Sequence, residues 1–522
     1  MDLPKLFNSH FSNLQICFIG CALCFGLISI FLFRKSKYGS SVLFLLLSGV
    51  ILRLVASTLD PFLWTWDEQF HALVAKNMMI NPLKPMLLTN PVLDYDFTNW
   101  KENHIWLHKQ PLFLWQIALF FKVLGTSEFV LRLPTVLMMS AMILLIYRIG
   151  KLTTNRSIAW YGAFIYTYTF YFIQFVTGYK FTDHNDSAFI FYVTLSIWSW
   201  LEYSNSKNAR YWLFLIGFFS GLAILNKWVV GLLVYSGWLL SVFFTLKKSD
   251  CLVELKNLGT ALLTTIIVAL PWQLFILFSF PIESHYEFDY NSRHFFEPLE
   301  GHGETWYYHF SVLSEQYGGD LIYFIILPGL FFYFKSMQSK SYKIALIAYL
   351  LITYLFFTIA ATKTPMFCTI VCPILFLGLG AILDKVIEIL RKLIPARIFG
   401  WFFAIMMLII AFEIMDLKRL DTWHSNDLDS WKTLNVNAII DKQLAMKLKS
   451  DDWVVFNCEG NNATMFMFYT GKTAYRHYPN QQQYLILKSK SIKIATFSDE
   501  NLPEYLRLDP SVLKIHLKQL YY

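Results

Sequence analysis

Two adjacent carboxylates and a histidine stand in a short aromatic stretch of the chain. Asp67 and Glu68 follow Trp64 and Trp66, and His71 comes four residues after Asp67. Residues four apart lie on one face of a helix, so Asp67 and His71 can act together. A carboxylate at a membrane surface suits a general base. The structural alternative is that acids in a first helical turn stabilise the helix dipole and that tryptophans mark the interface.

Isolated cations stand at the ends of apolar runs. Lys109 precedes a proline and an aromatic helix predicted over 112–121, and Lys227 and Lys363 occupy comparable places. Arg293 lies in a polar loop and could hold a phosphate through two parallel hydrogen bonds. Such cations could form a pocket for an anionic lipid headgroup. Each one alone could equally be a side chain that reaches out to the headgroups.

Acids and histidines crowd two further segments. The stretch 180–187 contains Lys180, Asp183, His184 and Asp186, which is more than a helix cap needs. The stretch 283–309 is dense in His, Asp and Glu, so it could bind a divalent metal ion, although no spacing in it is diagnostic. We name His108 and His302 as candidate metal ligands.

The composition decides which elements carry these residues. Only 15% of the residues are charged, against about 25% in soluble domains, and 56% are apolar. Such a chain is not disordered, and 7 Cys in 522 residues do not make a disulfide scaffold. A soluble multidomain enzyme is excluded too. We predict an all-α polytopic membrane protein.

A spanning helix needs about 20 mostly apolar residues. Twelve stretches approach this length, of which two are short for a full crossing. The first is not a cleaved signal peptide, because its apolar run is too long and Arg34, Lys35 and Lys37 follow it directly. The twelve predicted spans are 14–33, 40–58, 129–147, 157–177, 187–203, 211–226, 228–246, 258–279, 320–334, 344–361, 366–383 and 398–415.

Basic residues give the orientation, since Lys and Arg accumulate in cytoplasmic turns. Starting from the basic turn 34–37, every second turn is short and basic. The net charge of +8 therefore indicates membrane topology, and no nucleic acid partner is expected. All twelve His then fall on the outer side. The predicted outer segments are 59–128, 178–187, 280–319, 362–365 and everything after about 416.

The tail 416–522 has a different pattern, in which short strands alternate with short helices. This predicts a small α/β domain outside the membrane. We therefore divide the chain into a membrane domain, 1–415, whose outer loops 59–128 and 280–319 form the active site, and a periplasmic tail domain, 416–522. The predicted elements of the tail are 453–458, 463–469, 473–477, 481–488, 492–497, 502–508 and 512–521.

Taken in order, the motifs resemble those of the GT-C membrane glycosyltransferases. The similar subgroup contains the lipid A aminoarabinose transferases and bacterial relatives of the protein O-mannosyltransferases. The resemblance covers about 60–385. It rests on Asp67-Glu68, His108-Lys109-Gln110-Pro111, Asp183–Asp186, Lys227-Trp228, Leu270-Pro271-Trp272, Arg293 with His302 and Trp306-Tyr307-Tyr308, and Lys363-Thr364-Pro365.

The resemblance implies a GT-C fold with interfacial helices in the first outer loop. It implies an inverting transfer of a sugar from a polyprenyl-phosphate-linked donor to a lipid, glycan or protein acceptor. The place is the outer face of a bacterial inner membrane, and the protein is expected to be a monomer among membrane lipids. The implied catalytic residues are Asp67, Glu68 and Asp186, and the implied lipid-phosphate ligands are Lys109, Arg293, His71, Lys227 and Lys363.

Several positions depart from the family pattern. His108 stands where Glu is common, His71 where Tyr is common, and Trp228 replaces Gly, which leaves the sugar and the metal open. A flippase or transporter of lipid-linked sugars is the alternative function. It would need polar residues inside the spans, and the predicted spans contain almost none. A non-catalytic membrane scaffold gives no reason for the recurring outer cations and acids.

Overall fold

The computed structural model describes residues 9–179, 184–206, 208–422, 428–449, 452–458 and 462–516. Within these ranges, eight helices are long and apolar enough to cross a membrane. A ninth is counted if a helix pair bent by 90°, Tyr308–Tyr317 with Ile322–Ser336, forms one span. The eight are Asn13–Arg34, Tyr38–Ser57, Glu128–Thr153, Ala209–Lys227, Lys248–Ser279, Lys340–Ile359, Phe367–Leu393 and Ala396–Thr422.

The other predicted spans are helical but shorter or more polar than expected. The span 157–177 divides at Thr169, whose extended backbone (φ −66°, ψ 119°) separates two helices. The span 228–246 begins with a 3₁₀ turn, and the span 187–203 lies in a helix that includes Asp186 and Glu202. The multi-pass membrane fold is confirmed, whereas twelve is only an approximate count.

The remaining helices include the predicted interfacial helices of the first outer loop. The helix after Pro111 begins at Leu112, as predicted, and ends at Leu124 before Gly125. The helices outside the eight spans are Asp67–Met78, Leu112–Leu124, Arg156–Tyr168, Phe170–Gln174, His184–Tyr203, Leu233–Thr245, Pro281–Phe296, Tyr308–Ser311, Leu313–Tyr317, Ile322–Ser336, Leu428–Lys447, Asn462–Thr470, Gln481–Ser489 and Glu504–Arg507. A 3₁₀ turn lies at Trp228–Leu232, and another, Phe367–Val371, begins the span Phe367–Leu393; the helix Leu417–Thr422 ends the span Ala396–Thr422.

The chain forms two compact units, and the first is helical. It comprises Met1–Leu59, Arg132–Ser279 and Phe288–Trp423. Small residues let its helices approach closely. A Cβ on Gly380 would lie 2.6 Å from the carbonyl oxygen of Ile158, and one on Gly162 would lie 2.9 Å from that of Phe376.

The second unit comprises Asp60–Leu131, Phe280–Glu287 and His424–Tyr522. Its sheet has the strand order β2-β1-β3-β4, all parallel, from β1 (Trp453–Phe456), β2 (Thr473–Ala474), β3 (Lys493–Phe497) and β4 (Leu513–Ile515). Val454, Phe456 and Ile494 anchor the core, and Val92 and Leu93 of the first loop pack against it.

The predicted α/β tail is confirmed, element by element. Its strands are shorter than predicted, since the segment expected over 473–477 pairs only through two residues. The segment expected over 512–521 contains β4, and residues 517–522 lie outside the described ranges. The domain boundary at 415/416 stays a prediction.

Candidate active site

The turn before Asp67 has an unusual backbone. Trp66 has a φ of 69°, a positive value that residues other than glycine rarely adopt. The helix Asp67–Met78 begins immediately after it. Such backbone strain persists only where the surroundings impose it, and it is frequent at functional sites. The helix start puts Asp67 and Glu68 in the first turn, as the sequence predicts.

The Asp67 carboxylate lies between a histidine and a lysine. His71 Nε2 is 4.0 Å from Asp67 Oδ1, and Lys109 Nζ is 3.6 Å from the same oxygen. The Asp67 side chain is 37% exposed and that of Lys109 is 22% exposed, whereas His71 is fully buried. The predicted shared face of Asp67 and His71 is therefore observed. Lys109, 42 positions along the chain from Asp67, joins them.

Glu68 points in another direction from Asp67. It is buried, with 3% of its surface exposed, and its Oε2 accepts a 2.8 Å hydrogen bond from the backbone N–H of Trp64. This contact closes the loop in front of the helix. Glu68 thus holds the backbone that presents Asp67, and its predicted catalytic role stays a prediction.

His108 forms a buried pair with Glu287, a residue that the sequence did not single out. His108 Nδ1 is 3.3 Å from Glu287 Oε2, and the His108 ring stacks on Trp100 with ring centres 4.4 Å apart. Among the described residues, no three His, Cys, Asp or Glu side chains lie close enough to hold a metal ion. The donor set that the metal prediction requires is therefore not found there, and we derive no step through a metal.

In the first unit, Lys227 and Asp186 form an ion pair, so two predicted site residues meet. Lys227 Nζ also lies 4.6 Å from the centre of the Phe367 ring, a cation–π contact. Asp186 is 8% exposed. Lys180 and Asp183, from the same predicted patch, lie outside the described residues.

Lys363 is buried, with 6% of its surface exposed. Its ammonium donates a 2.7 Å hydrogen bond to the carbonyl of Ala360, and its backbone N–H donates to the carbonyl of His302 at 3.0 Å. No carboxylate lies within ion-pair distance of Lys363 among the described residues. His302 thus meets the Lys363 backbone, and its metal role stays untested.

Arg293 is half-exposed and pairs with Glu297, the residue that follows its helix Pro281–Phe296. Its Nη2 lies 2.8 Å from Glu297 Oε2 and its Nε lies 3.1 Å from the same atom. This hydrogen bonding lowers the pKa of the Glu297 carboxyl. Arg293 would have to give up or share this partner in order to bind a phosphate.

Two buried arginines in the first unit were not among the predicted site residues. Arg53 is fully buried within the predicted span 40–58, where its Nη1 donates to the carbonyl of Gly49 at 3.2 Å and its guanidinium lies 5.1 Å from the Tyr166 ring centre. Arg132, also fully buried, donates to the carbonyl of Ser57 at 3.1 Å. The expectation of nearly charge-free spans is therefore wrong at Arg53 and at Arg132, which lies in the predicted span 129–147. A single arginine in an apolar run was the available signal.

Known proteins resemble most of the chain. Residues 108–275 match the family model of dolichyl-phosphate-mannose-protein mannosyltransferases. ArnT from Cupriavidus metallidurans bound to undecaprenyl phosphate aligns with a TM-score of 0.62 at 15% identity, over 86% of this chain and 88% of that chain. The oligosaccharyltransferase AglB from Archaeoglobus fulgidus aligns with a TM-score of 0.53 at 12% identity, over 86% and 65% of the two chains. The chain has the GT-C membrane fold.

A sequence relative is also known from Aquifex aeolicus (strain VF5), where it is described as an uncharacterized protein. It is 30% identical over 185 residues, which are 35% of this chain and 33% of that protein. The match thus spans about a third of the relative's length. The family match includes Lys109, Asp186 and Lys227 and ends before Arg293 and Lys363. The GT-C fold prediction is confirmed.

Proposed function

We propose that the protein is a membrane glycosyltransferase that moves a sugar from a polyprenyl-phosphate-linked donor to an acceptor, with inversion at the anomeric carbon. The observation that carries the proposal is the Asp67 carboxylate, held 3.6 Å from the Lys109 ammonium on a strained turn. The similar ArnT structure contains undecaprenyl phosphate and the similar AglB structure contains a dolichol-phosphate. Both ligands support a donor of the polyprenyl-phosphate class.

In the proposed reaction, Asp67 accepts the proton of the acceptor hydroxyl while the acceptor oxygen attacks the anomeric carbon. The bond from that carbon to the phosphate oxygen breaks, and a polyprenyl phosphate leaves with the negative charge. An ammonium has three N–H donors, so Lys109 can contact Asp67 and a phosphate oxygen together. Placing a fixed cation where charge develops is an effective form of catalysis. If the acceptor is itself a phosphate, Asp67 orients it instead.

We infer the remaining roles from the predicted pattern. His71, packed 4.6 Å from the Phe113 ring centre, supports the Asp67 face from within the second unit. Arg293, Lys227 and Lys363 remain predicted phosphate ligands. We place the reaction at the outer face of a bacterial inner membrane, with a periplasmic tail, because the basic residues cluster in alternate turns. The acceptor is a lipid, a glycan or a protein, and the enzyme is a monomer.

A vesicle assay separates transfer from transport. The purified protein is reconstituted with a polyprenyl-phosphate-sugar donor and an acceptor, and the masses of the lipid products are determined by mass spectrometry. Transfer converts the donor to free polyprenyl phosphate. A flippase would instead move the donor between leaflets with its mass unchanged, which would overturn the proposal.

A further inference from the structure

Asp60, seven residues before Asp67, accepts hydrogen bonds from two tryptophans. Trp64 Nε1 donates to Oδ2 at 2.9 Å, and Trp431 Nε1 donates to Oδ1 at 2.8 Å. Asp60 is 3% exposed, so its carboxylate is shielded from water. Hydrogen bonds to a buried carboxylate are among the strong ones, and removal of one donor leaves an oxygen unsatisfied. One carboxylate thereby joins the first loop to the tail, inside the second compact unit.

These contacts continue to the Asp67 turn. Trp64 donates its indole N–H to Asp60 and its backbone N–H to Glu68 Oε2 at 2.8 Å. Trp66, with its positive φ, therefore lies between two residues that these hydrogen bonds hold in place, Trp64 and Glu68. The carbonyl of Trp66 in turn accepts the backbone N–H of Gln69 at 3.1 Å, which starts the helix. The series Trp431, Asp60, Trp64 and Glu68 ends next to Asp67.

The tail helix Leu428–Lys447 holds the same segment at a second place. Lys442 Nζ donates to the carbonyl of Pro61 at 3.2 Å and pairs with Glu128 Oε1 at 2.7 Å. Phe62 packs against Trp431 with ring centres 5.8 Å apart. One helix of the tail therefore touches three consecutive residues, 60–62, at the start of the first loop.

We propose that Trp431 and Asp60 are positioning residues, through which the tail holds the strained turn that presents Asp67. This proposal rests on the proposed function, because it assigns the tail a part in placing the general base. Neither residue contacts the substrate. Their loss should slow the chemical step, because Asp67 becomes less well placed, and should leave donor binding nearly unchanged.

The test uses the full-length protein in vesicles and the variant Trp431→Phe, which keeps an aromatic ring and removes the indole N–H. We expect kcat to fall between about tenfold and about a hundredfold, as for small misplacements of a catalytic group, with the donor KM within about twofold of wild type. Hydrogen–deuterium exchange at the backbone amides of residues 62–68 should be faster than in wild type. The matched control is Trp453→Phe, which changes a half-buried tryptophan at the start of β1. It should leave kcat, the donor KM and the exchange rate as in wild type.

Asp60→Asn gives a second test. Its amide presents an NH₂ group to one of the two indole N–H donors, so that hydrogen bond is lost. We expect the Asp67 turn to be less well held and turnover to be slower. Removing one donor relieves that conflict, so the double variant Asp60→Asn/Trp431→Phe should be no slower than Asp60→Asn. Losses that multiply in the double variant would overturn the proposal, as would wild-type exchange in Trp431→Phe. The exchange measurement requires no turnover, so it decides the positioning proposal even if the wild-type protein fails to transfer sugar.

Discussion

At the scale of single residues, the chemistry proposed for the candidate site depends on one carboxylate, Asp67, with the ammonium of Lys109 beside it. Asp67 is half-exposed and Lys109 is partly buried, so both can meet a substrate while each holds the other in place. His71 and Trp106 pack behind them, with ring centres 6.0 Å apart, and leave little freedom for the helix start. The pair can therefore remove a proton and stabilise a leaving phosphate from one place.

Lys109→Met tests the phosphate role of the lysine. The substitution keeps the length of the side chain and removes its charge, so the leaving phosphate loses a fixed cation. We expect kcat/KM for the donor to fall by at least about a hundredfold, the scale of losing one oxyanion donor. Lys84→Met changes an exposed lysine of the same loop and should keep wild-type kinetics. Equal kinetics in the two variants would remove Lys109 from the mechanism.

The buried Asp441 makes a prediction about pH. Burial raises its pKa well above the ordinary value, and its Oδ2 has no hydrogen-bond partner among the described residues. The neutral acid is favoured in the folded tail, so its contribution to stability is fully present below about pH 4. This contribution to stability is lost as the pH rises toward the pKa that the Asp441 carboxyl has in the folded protein.

Asp441→Asn removes this ionisation. The variant should therefore unfold at a higher temperature than wild type. The gain in the free energy of unfolding should grow from pH 5 to pH 8 by up to about 1.4 kcal/mol per pH unit, because only the wild-type side chain must take up a proton on folding. Thermal unfolding at the two pH values measures this gain. The exposed Asp429 of the same helix, changed to Asn, is the control. A pH-independent difference would contradict the raised pKa.

At the scale of elements, the site depends on where helices begin and break. The first turn of the helix Asp67–Met78 carries both acids, and its start is fixed by a residue at a left-handed φ. The break at Thr169 turns one predicted span into two shorter helices. Hydropathy finds the apolar runs but gives no signal for such breaks, which explains why twelve spans were predicted and fewer pass as full crossings.

Close helix packing in the first unit gives an element-scale prediction. Gly380→Ala would put a methyl group 2.6 Å from the carbonyl oxygen of Ile158, so the two helices must separate. Overpacking of this kind costs about 1–3 kcal/mol, and the midpoint of thermal unfolding in detergent should fall. Gly20→Ala is the control, because nothing lies within 4 Å of a Cβ there. It should be neutral or slightly stabilising. Equal midpoints for the two variants would contradict the close packing.

At the scale of the whole molecule, the sequence predicted the fold class well. The apolar runs are long, and the alternation of strands and helices in the tail is regular, so local patterns were sufficient for both. The pairing of Asp67 with His71 was likewise local. The buried Arg53 was overlooked because one charge does not interrupt an apolar run.

Contacts between distant parts of the chain were beyond such patterns. The pair His108–Glu287 joins residues 179 positions apart, and the contact between Asp60 and Trp431 joins residues 371 apart. No periodicity in the sequence predicts these contacts, because they form only when the second unit folds around its core. For the same reason, no pattern in the sequence predicted that the first loop and the tail share one compact unit.

In the proposed reaction, Asp67 is the general base for sugar transfer from a lipid-linked donor. The most direct measurement is the rate at which vesicles containing the full-length protein, a polyprenyl-phosphate-sugar donor and an acceptor release free polyprenyl phosphate, for wild type and for Asp67→Asn. We predict release by wild type, a loss of at least about a hundredfold in Asp67→Asn, and unchanged release in the exposed-loop control Asp94→Asn. Wild-type release by Asp67→Asn, in a protein that folds normally, would contradict the account.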